Sequence, residues 1–187
     1  LDAYLCRGGY SRREAQKMIK IKSVTVNGIV QNNLSFPVKE GDLVLAAGEE
    51  VWGQEWIYLV LNKPAGYICT TDPGTQCVLN LIPKKYRIKG LSPVGRLDKE
   101  TTGLLFLSND GQLIHRMISP GKHLSKEYAA LLRDPLTEEQ AGRISSGLTL
   151  ADGTVCRPAE VTGLGEKQVS IVLTEGKYHQ VRRMFAA

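Results

Sequence analysis

The sequence lacks several features that would by themselves assign the protein to a class. No apolar run in its 187 residues approaches the roughly 18 residues that a membrane-spanning helix needs, so no membrane segment is expected. The start of the chain lacks the charged and then apolar layout of a secretory signal peptide. The four cysteines, Cys6, Cys69, Cys77 and Cys156, form no CxxC pair and are not clustered with the three histidines, which excludes the spacing of a zinc site. These absences predict a cytoplasmic protein with reduced, buried structural thiols and no metal.

The charge of the chain is basic, with a net charge of +5 and an isoelectric point of about 9.0. The length is sufficient for one mid-sized domain and a small one. Six basic residues lie between positions 7 and 22, where Glu14 is the single acid. They are Arg7, Arg12, Arg13, Lys17, Lys20 and Lys22. Such a surface favours a polyanionic partner, although a solvated helix face would have the same composition.

The first fifty residues contain signals for a small domain of helices and strands. Ser11 and Glu14 form a capping box, and the apolar residues behind it recur at helical spacing, so a helix with a basic exposed surface is predicted. A shorter helix is predicted before it, ending at Gly8-Gly9. Asn27-Gly28 between two β-branched runs predicts a hairpin, because both central residues of a type I′ turn need positive φ. With a further strand at 42–46, we predict a small α/β domain over residues 1–47.

The rest of the chain predicts a second, larger domain over residues 55–187. Residues 48–54 are small and polar and are predicted to be a linker, whereas the apolar run 56–61 predicts a strand buried on both faces. Strands and helices then interleave irregularly, so the fold class is α+β, with a mixed, largely antiparallel sheet flanked by helices. The strands are predicted at 104–107, 128–132, 155–161 and 169–173, and helices after the capping residues Asp110 and Thr137. The chain ends within a predicted helix, so we expect the natural protein to continue.

One loop concentrates residues that could perform chemistry. Asp98 lies between Pro93 and Gly103, in a stretch rich in Gly, Arg, Lys and Thr just before a predicted buried strand. Polar loops mounted on a rigid sheet are frequent positions of functional sites. Composition alone also allows a charged surface turn, or Asp98 and Glu100 as metal ligands or as the carboxylate pair of a glycosidase. Two carboxylates are few for a magnesium site, and nothing else in the sequence converges on them.

Four motifs together resemble the RsuA/RluA-type pseudouridine synthases. The first is Gly95-Arg96-Leu97-Asp98, followed by Thr-Thr-Gly-Leu-Leu. The others are Leu-Asn-Lys-Pro-Ala-Gly at 61–66, Ser-Lys-Glu-Tyr at 125–128 and Glu-Gly-Lys-Tyr-His-Gln-Val-Arg-Arg-Met at 175–184. All occur in the family's order. Four N-terminal stretches, at 1–5, 11–15, 24–28 and 38–42, also resemble the S-four type of RNA-binding domain, which is typical of the RsuA branch.

The resemblance implies that the chain isomerises uridine to pseudouridine in ribosomal RNA, with Asp98 as the catalytic carboxylate. Whether Asp98 adds to the base or deprotonates the sugar to give a glycal stays open. Arg182, rather than its neighbour Arg183, is expected to pair with Asp98 and keep it ionised. Tyr128 is expected to stack on the flipped base and to act in the late proton removal from carbon five. No metal or organic cofactor is implied.

The remaining residues of interest are assigned to RNA binding or to structure. The resemblance to the S-four domain turns the six basic N-terminal residues into expected phosphate contacts. Lys63 and Arg96 are further candidates for contact with RNA, and His179 is expected to make a structural hydrogen bond.

The identity of the RNA follows less directly from the sequence. The run 178–181 resembles the small-subunit branch, so we expect a monomer that modifies 16S ribosomal RNA in a pre-ribosomal particle. A 23S target and a non-catalytic assembly factor are the alternatives. The intact Asp98, Tyr128 and Arg182 argue against the second. Residues 72–90 match the family poorly, which leaves the target nucleotide open.

Overall fold

The computed structural model describes residues 1–53, 55–72, 74–119, 121 and 124–187. In these ranges the chain divides into two compact units, Leu1–His115 and Arg116–Ala187. Helices alternate irregularly with strands, and each pairing between named strands is antiparallel. The predicted α+β class is therefore confirmed. No helix in the described ranges is both long and apolar enough to cross a lipid bilayer.

The first unit opens with two helices and a four-stranded sheet of order β2-β1-β3-β4. The elements are α1 (Asp2–Arg7), α2 (Arg12–Lys20), β1 (Val24–Val26), β2 (Ile29–Val30), β3 (Val44–Ala46) and β4 (Glu49–Glu50). The predicted capping box is present, because Ser11 N donates to Glu14 Oε2 at 2.8 Å and Glu14 N donates to Ser11 Oγ at 3.3 Å. The predicted hairpin is also confirmed, with Asn27 and Gly28 at φ 51° and 80°.

Residues 48–53 of the predicted linker 48–54 form a strand and backbone hydrogen bonds with earlier residues. Strand β4 pairs with β3 across a turn at Ala47-Gly48, whose φ angles are 51° and 82°. The hairpin could not be predicted from this polar segment, because alanine rarely adopts a positive φ and is therefore not recognised as a turn residue. Residues 48–50 therefore extend the N-terminal sheet instead of leaving it.

Residues 50–53 make hydrogen bonds to the N-terminal helix α1 and an ion pair with a later residue of the first unit. Tyr4 Oη donates to Val51 O at 3.2 Å, and Arg7 Nε donates to Gly53 O at 2.6 Å. A Cβ at Gly53 would overlap the Tyr4 ring, so only glycine permits this approach. On the other side, Lys85 Nζ lies 2.6 Å from Glu50 Oε2. This segment thus ties the N-terminal helices to the part of the first unit that follows.

The second sheet of the first unit has the order β5-β7-β6. Its strands are β5 (Tyr58–Lys63), β6 (Ser92–Val94) and β7 (Gly103–Ser108), and two short 3₁₀ helices lie between the first two, at Val78–Leu81 and Lys84–Tyr86. One face packs on a core that includes Val78, Leu105 and Leu107. The prediction that the apolar run 56–61 is buried on both faces is wrong, because Tyr58 and Val60 are 58% and 67% exposed. An apolar run reports composition but does not reveal which face is covered.

In its described residues, the second unit contains a three-stranded sheet, two helices and the last residues of a third helix that begins in the first unit. Its elements are β8 (Lys126–Leu131), α4 (Glu138–Ser146), β9 (Glu160–Gly163), β10 (Gln168–Leu173) and α5 (Gln180–Ala186), with sheet order β8-β10-β9. Helix α3 (Gly111–Ile118) begins where Asp110 Oδ1 accepts from two backbone amides, as predicted, and Thr137 caps α4. The strand predicted at 155–161 begins only at Glu160. Pro158 interrupts it because proline lacks the N–H that a strand ladder needs.

Candidate active site and RNA-binding surface

Asp98 lies in the loop between β6 and β7 of the first unit, where it is half-buried. Its carbonyl accepts the Thr101 amide at 3.0 Å, which closes a turn directly behind the carboxylate. Gly95 and Gly103 bracket the loop at φ 83° and 118°, conformations that L side chains rarely adopt. The sequence thus builds a tight loop with the half-buried Asp98 near its middle.

Lys63 holds this loop from inside the protein. It is the last residue of β5 and is 0% exposed. Its ammonium donates to Pro64 O at 3.0 Å, to Lys99 O at 2.9 Å and to Thr101 O at 2.8 Å. This burial does not fit the predicted contact of Lys63 with RNA, because the ammonium already donates three hydrogen bonds and the side chain is not exposed to solvent. Strand alternation with Leu59 and Leu61 was the signal that placed it on the inner face.

Two backbone amides complete the support of the Asp98 loop. Gly66 N donates to Lys99 O at 2.9 Å, so this carbonyl accepts from two groups. Leu97 N donates to Cys69 Sγ at 3.4 Å, immediately before Asp98. Cys69 is buried, as are Cys77 and Cys156, which agrees with the expected structural thiols, whereas Cys6 is half-buried. The segment 63–69 therefore fixes the loop on both sides of Asp98.

Tyr128 and Arg182 belong to the second unit. Tyr128 lies on β8 opposite Ile171, is half-buried, and packs against the core that contains Ile171 and Met184. Arg182 lies on α5 and is exposed. Its predicted pairing with Asp98, a residue of the first unit, stays a prediction.

A buried hydrogen-bond network fixes the start of α5. Gln180 is 4% exposed; its Oε1 accepts from Lys177 N at 2.9 Å, and its Nε2 donates to Glu175 Oε1 at 2.7 Å. Glu175 also accepts from Arg157 N at 3.0 Å and lies 3.2 Å from Lys177 Nζ. Burial alone would raise the pKa of Glu175, but these hydrogen bonds and the Lys177 charge outweigh it and hold the pKa below its usual value. Sequence reasoning missed this network, although both residues lie in a quoted motif.

Replacement of Glu175 by glutamine should therefore change how stability depends on pH. A carboxyl whose pKa is lowered in the folded state stabilises that state above the ordinary glutamate pKa of 4.5, and this contribution is lost as the pH falls through the lower folded pKa. We expect Glu175→Gln to be less stable than the parent at neutral pH and the difference to shrink below about pH 4. Denaturant unfolding of both proteins across pH measures this, and a pH-independent difference would contradict it.

The two adjacent arginines of α5 have different surroundings. Arg183 Nη2 lies 2.5 Å from Asp152 Oδ1, and Arg183 Nη1 donates to Tyr178 O at 3.2 Å. Hydrogen bonds from Thr154, together with the Arg183 charge, lower the pKa of Asp152. The Arg183 side chain therefore stabilises the structure around α5, whereas Arg182 is exposed to solvent.

The predicted RNA contacts in the first unit are exposed, with Lys63 as the exception. This group consists of Arg7, Arg12, Arg13, Lys17, Lys20, Lys22 and, in the Asp98 loop, Arg96. Arg7 also has a structural role, because its Nε bonds Gly53 and its guanidinium lies 5.9 Å from the Tyr4 ring centroid. Sequence reasoning did not single out the exposed Lys84 and Lys89, which add positive charge to the first unit.

A small basic module in front of an α+β domain that carries a carboxylate on a supported loop is typical of an enzyme that acts on RNA. Comparison with known families agrees with this class. Residues 57–187 match the family described as RNA pseudouridylate synthase, and residues 1–44 match the S4 domain. The chain therefore belongs to the RNA pseudouridylate synthase family.

Individual relatives match the chain over its whole length. It is 37% identical over 190 residues to the ribosomal small subunit pseudouridine synthase A of Vibrio cholerae, covering 100% of this chain and 82% of the relative. It is 36% identical over 195 residues to the uncharacterized RNA pseudouridine synthase YtzG of Bacillus subtilis, covering 100% and 81%. A crystal structure of a pseudouridylate synthase shares 34% identity with a TM-score of 0.66, covering 100% and 81%.

Proposed function

We propose that the protein converts a uridine of 16S ribosomal RNA to pseudouridine, with Asp98 as the catalytic carboxylate. The observation that carries this proposal is the support of the Asp98 loop by Lys63, Gly66 and Cys69, which holds one carboxylate in a fixed place. The names of the small-subunit relatives favour the 16S target. We further propose that the protein acts in the cytoplasm as a monomer on a pre-ribosomal particle.

The reaction needs no group donor and no redox change. The bond between ribose C1′ and base N1 breaks, the base turns, a bond forms between C1′ and C5, and the proton leaves C5 while N1 gains one. Asp98 either adds to the base or removes a ribose proton to give a glycal, and in both routes it must start as the carboxylate. In this proposal Arg182 supplies the cation that favours this form, and Tyr128 stacks on the flipped base and assists loss of the C5 proton.

The experiment that tests the proposal uses separate 16S and 23S transcripts. Each is incubated with the protein, and new pseudouridines are mapped by chemical labelling and primer extension. We expect one modified position, or a small number, in the 16S transcript and none in the 23S transcript. Modification of the 23S transcript alone would overturn the proposed substrate. Absence of modification in both transcripts and in isolated 30S precursors would overturn the proposed activity.

Arg182→Ala should reduce turnover far more than Arg183→Ala. We expect the rate of Arg182→Ala to fall by about 100-fold, because without the neighbouring cation the reacting carboxylate is less stabilised and less well positioned. Arg183→Ala breaks the contacts to Asp152 and Tyr178 and should mainly lower the melting temperature. Single-turnover rates with the 16S transcript and thermal unfolding separate the two effects. The reverse order of rates would mean that Arg183 is the functional arginine.

Neutralising the basic helix should weaken RNA binding and its salt dependence. The triple variant Arg12→Gln, Arg13→Gln, Lys17→Gln removes three exposed cations from α2 without touching its core. We expect the slope of log affinity against log salt to become shallower by about 0.7 to 0.9 for each lost phosphate contact. A matched control with the same charge change is Lys39→Gln, Arg133→Gln, Arg143→Gln, all exposed elsewhere. Equal slopes for the two triples would show that α2 is only a solvated face.

A further inference from the structure

Tyr178 and His179 form an exposed stacked pair that the proposed mechanism does not use. Their ring centroids are 3.9 Å apart and their planes differ by 16°, a parallel stack. Tyr178 is nevertheless 74% exposed. Since His179 covers one side of the tyrosine ring, its opposite side faces solvent. The pair therefore offers a flat aromatic surface with a second ring behind it.

The backbone under this pair is held in a specific conformation. His179 has φ 49° and ψ 35°, a left-handed conformation that is unfavourable for a residue with a side chain. The Gln180 side chain bonds Lys177 N, and Arg183 Nη1 bonds Tyr178 O, so the chain is fixed before and after the stacked rings. Strained backbone that the surroundings enforce clusters at functional sites. The stacked pair is thus pre-organised and does not need to be assembled by a ligand.

The charges near the pair suit a nucleic acid. Arg157 is exposed and its Nε lies 4.0 Å from Glu175 Oε2, three residues before Tyr178, so its guanidinium can contact a phosphate beside the pair. Planar aromatic side chains beside cations bind unpaired bases by stacking on one face, and every base has such a face. Tyr128 is a different case, because it is half-buried on β8 and packs on the core.

We propose that Tyr178, backed by His179, is a stacking platform for an unpaired nucleobase of the RNA, at a position other than the target uridine. The inference rests on the proposed function only in taking RNA as the ligand. The platform contributes to binding and to the choice of RNA conformation. It does not take part in the bond changes.

The test compares Tyr178→Ala and Tyr178→Phe with the parent. The probes are a fluorescein-labelled oligoadenylate of about ten nucleotides, a length typical of single-strand binding sites, and a blunt duplex of equal length. We expect Tyr178→Ala to bind the single strand about tenfold more weakly and Tyr178→Phe to bind it like the parent, because one base stack is worth a factor of this size. Duplex affinity and the salt slope should not change, since no charge is removed.

Controls separate stacking from other effects. Leu164→Ala removes a 54% exposed apolar side chain of the same unit and should bind like the parent, whereas Tyr178→Leu, which keeps apolar bulk without a ring, should bind like Tyr178→Ala. Unchanged melting temperatures establish that each variant is folded. Parent-like binding by Tyr178→Ala, or a loss in Tyr178→Phe equal to that in Tyr178→Ala, would overturn the proposal.

Turnover distinguishes this proposal from the proposed function. On the 16S transcript, Tyr178→Ala should raise KM and leave kcat unchanged, because the platform acts before the chemistry. If the parent modifies no transcript while Tyr178→Ala still binds the single strand more weakly, the proposed function is overturned and the stacking platform is supported. If the parent modifies 16S RNA and Tyr178→Ala matches it in KM and affinity, the stacking platform is overturned and the proposed function is supported.

Discussion

Asp98→Asn should abolish pseudouridine formation and leave RNA binding close to that of the parent. Asparagine has the same shape but cannot act as a nucleophile or base, so we expect the rate to fall by more than about 1000-fold, as for other essential groups of this kind. Its backbone carbonyl still accepts the Thr101 amide, so the turn should persist. Uridine tritiated at C5 gives the rate directly, because this hydrogen is lost when the new carbon–carbon bond forms.

Glu100→Gln is the matched control for Asp98→Asn. Glu100 is an exposed carboxylate two residues further along the same loop, and its replacement removes the same charge. We expect parent-like turnover for this variant. Appreciable turnover by Asp98→Asn would exclude Asp98 as the catalytic group. An equal loss in both variants would instead point to a joint role of the two carboxylates.

Lys63→Met should destabilise the first unit and disable the Asp98 loop. Methionine keeps the apolar volume but removes three donors from a buried place. Lys99 O retains the Gly66 amide, so two carbonyls, those of Pro64 and Thr101, lose the ammonium as a donor. At about 1 to 3 kcal/mol for each of the two carbonyls that lose this donor, the unfolding free energy should fall by about 2 to 6 kcal/mol. Turnover should fall by about 100-fold or more even where the variant is folded, because Asp98 loses its fixed position.

Hydrogen exchange locates the effect of Lys63→Met. The Thr101 and Gly66 amides, which are bonded within this network, should exchange faster than in the parent, whereas amides of β8 and β10 should be unchanged. Lys99→Met is the control, since only the backbone carbonyl of Lys99 takes part and its side chain is exposed. Parent-like stability in Lys63→Met, or an equal loss in Lys99→Met, would contradict the role assigned to Lys63.

The elements that sequence reasoning predicted correctly depend on neighbours along the chain. The Ser11–Glu14 capping box, the Thr137 cap and the Asn27-Gly28 turn each involve residues within a few positions of one another. Lys63 is different, because two of its partners are carbonyls 36 and 38 residues away, and no local pattern encodes that meeting. The exposed face of β5 could not be predicted for the same reason, because the packing of the sheet, and not a local pattern, decides which face is covered.

The candidate site also has a part that the sequence predicted and a part that it did not. The order of the motifs pointed to Asp98, Tyr128 and Arg182 without any geometry. The hydrogen bonds that position the motifs could not be predicted, because Glu and Gln are usually surface residues and only the folded structure brings Glu175 and Gln180 into contact. The resemblance of the motif selected Arg182 over Arg183, but the contact of Arg183 with Asp152 could not be predicted from the sequence.

The attachment of the N-terminal helices through residues 50–53 has a consequence for target selection. Trp52 packs on the same core as Leu97, the residue before Asp98, and its ring meets Tyr86 edge-on with centroids 5.3 Å apart. The cations of α2 and the Asp98 loop therefore belong to one compact unit, and their separation is set by packing. In the proposed function, an RNA bound to α2 would therefore present to Asp98 only a uridine that lies at a set distance from the α2 contacts, so spacing as well as base identity would select the target.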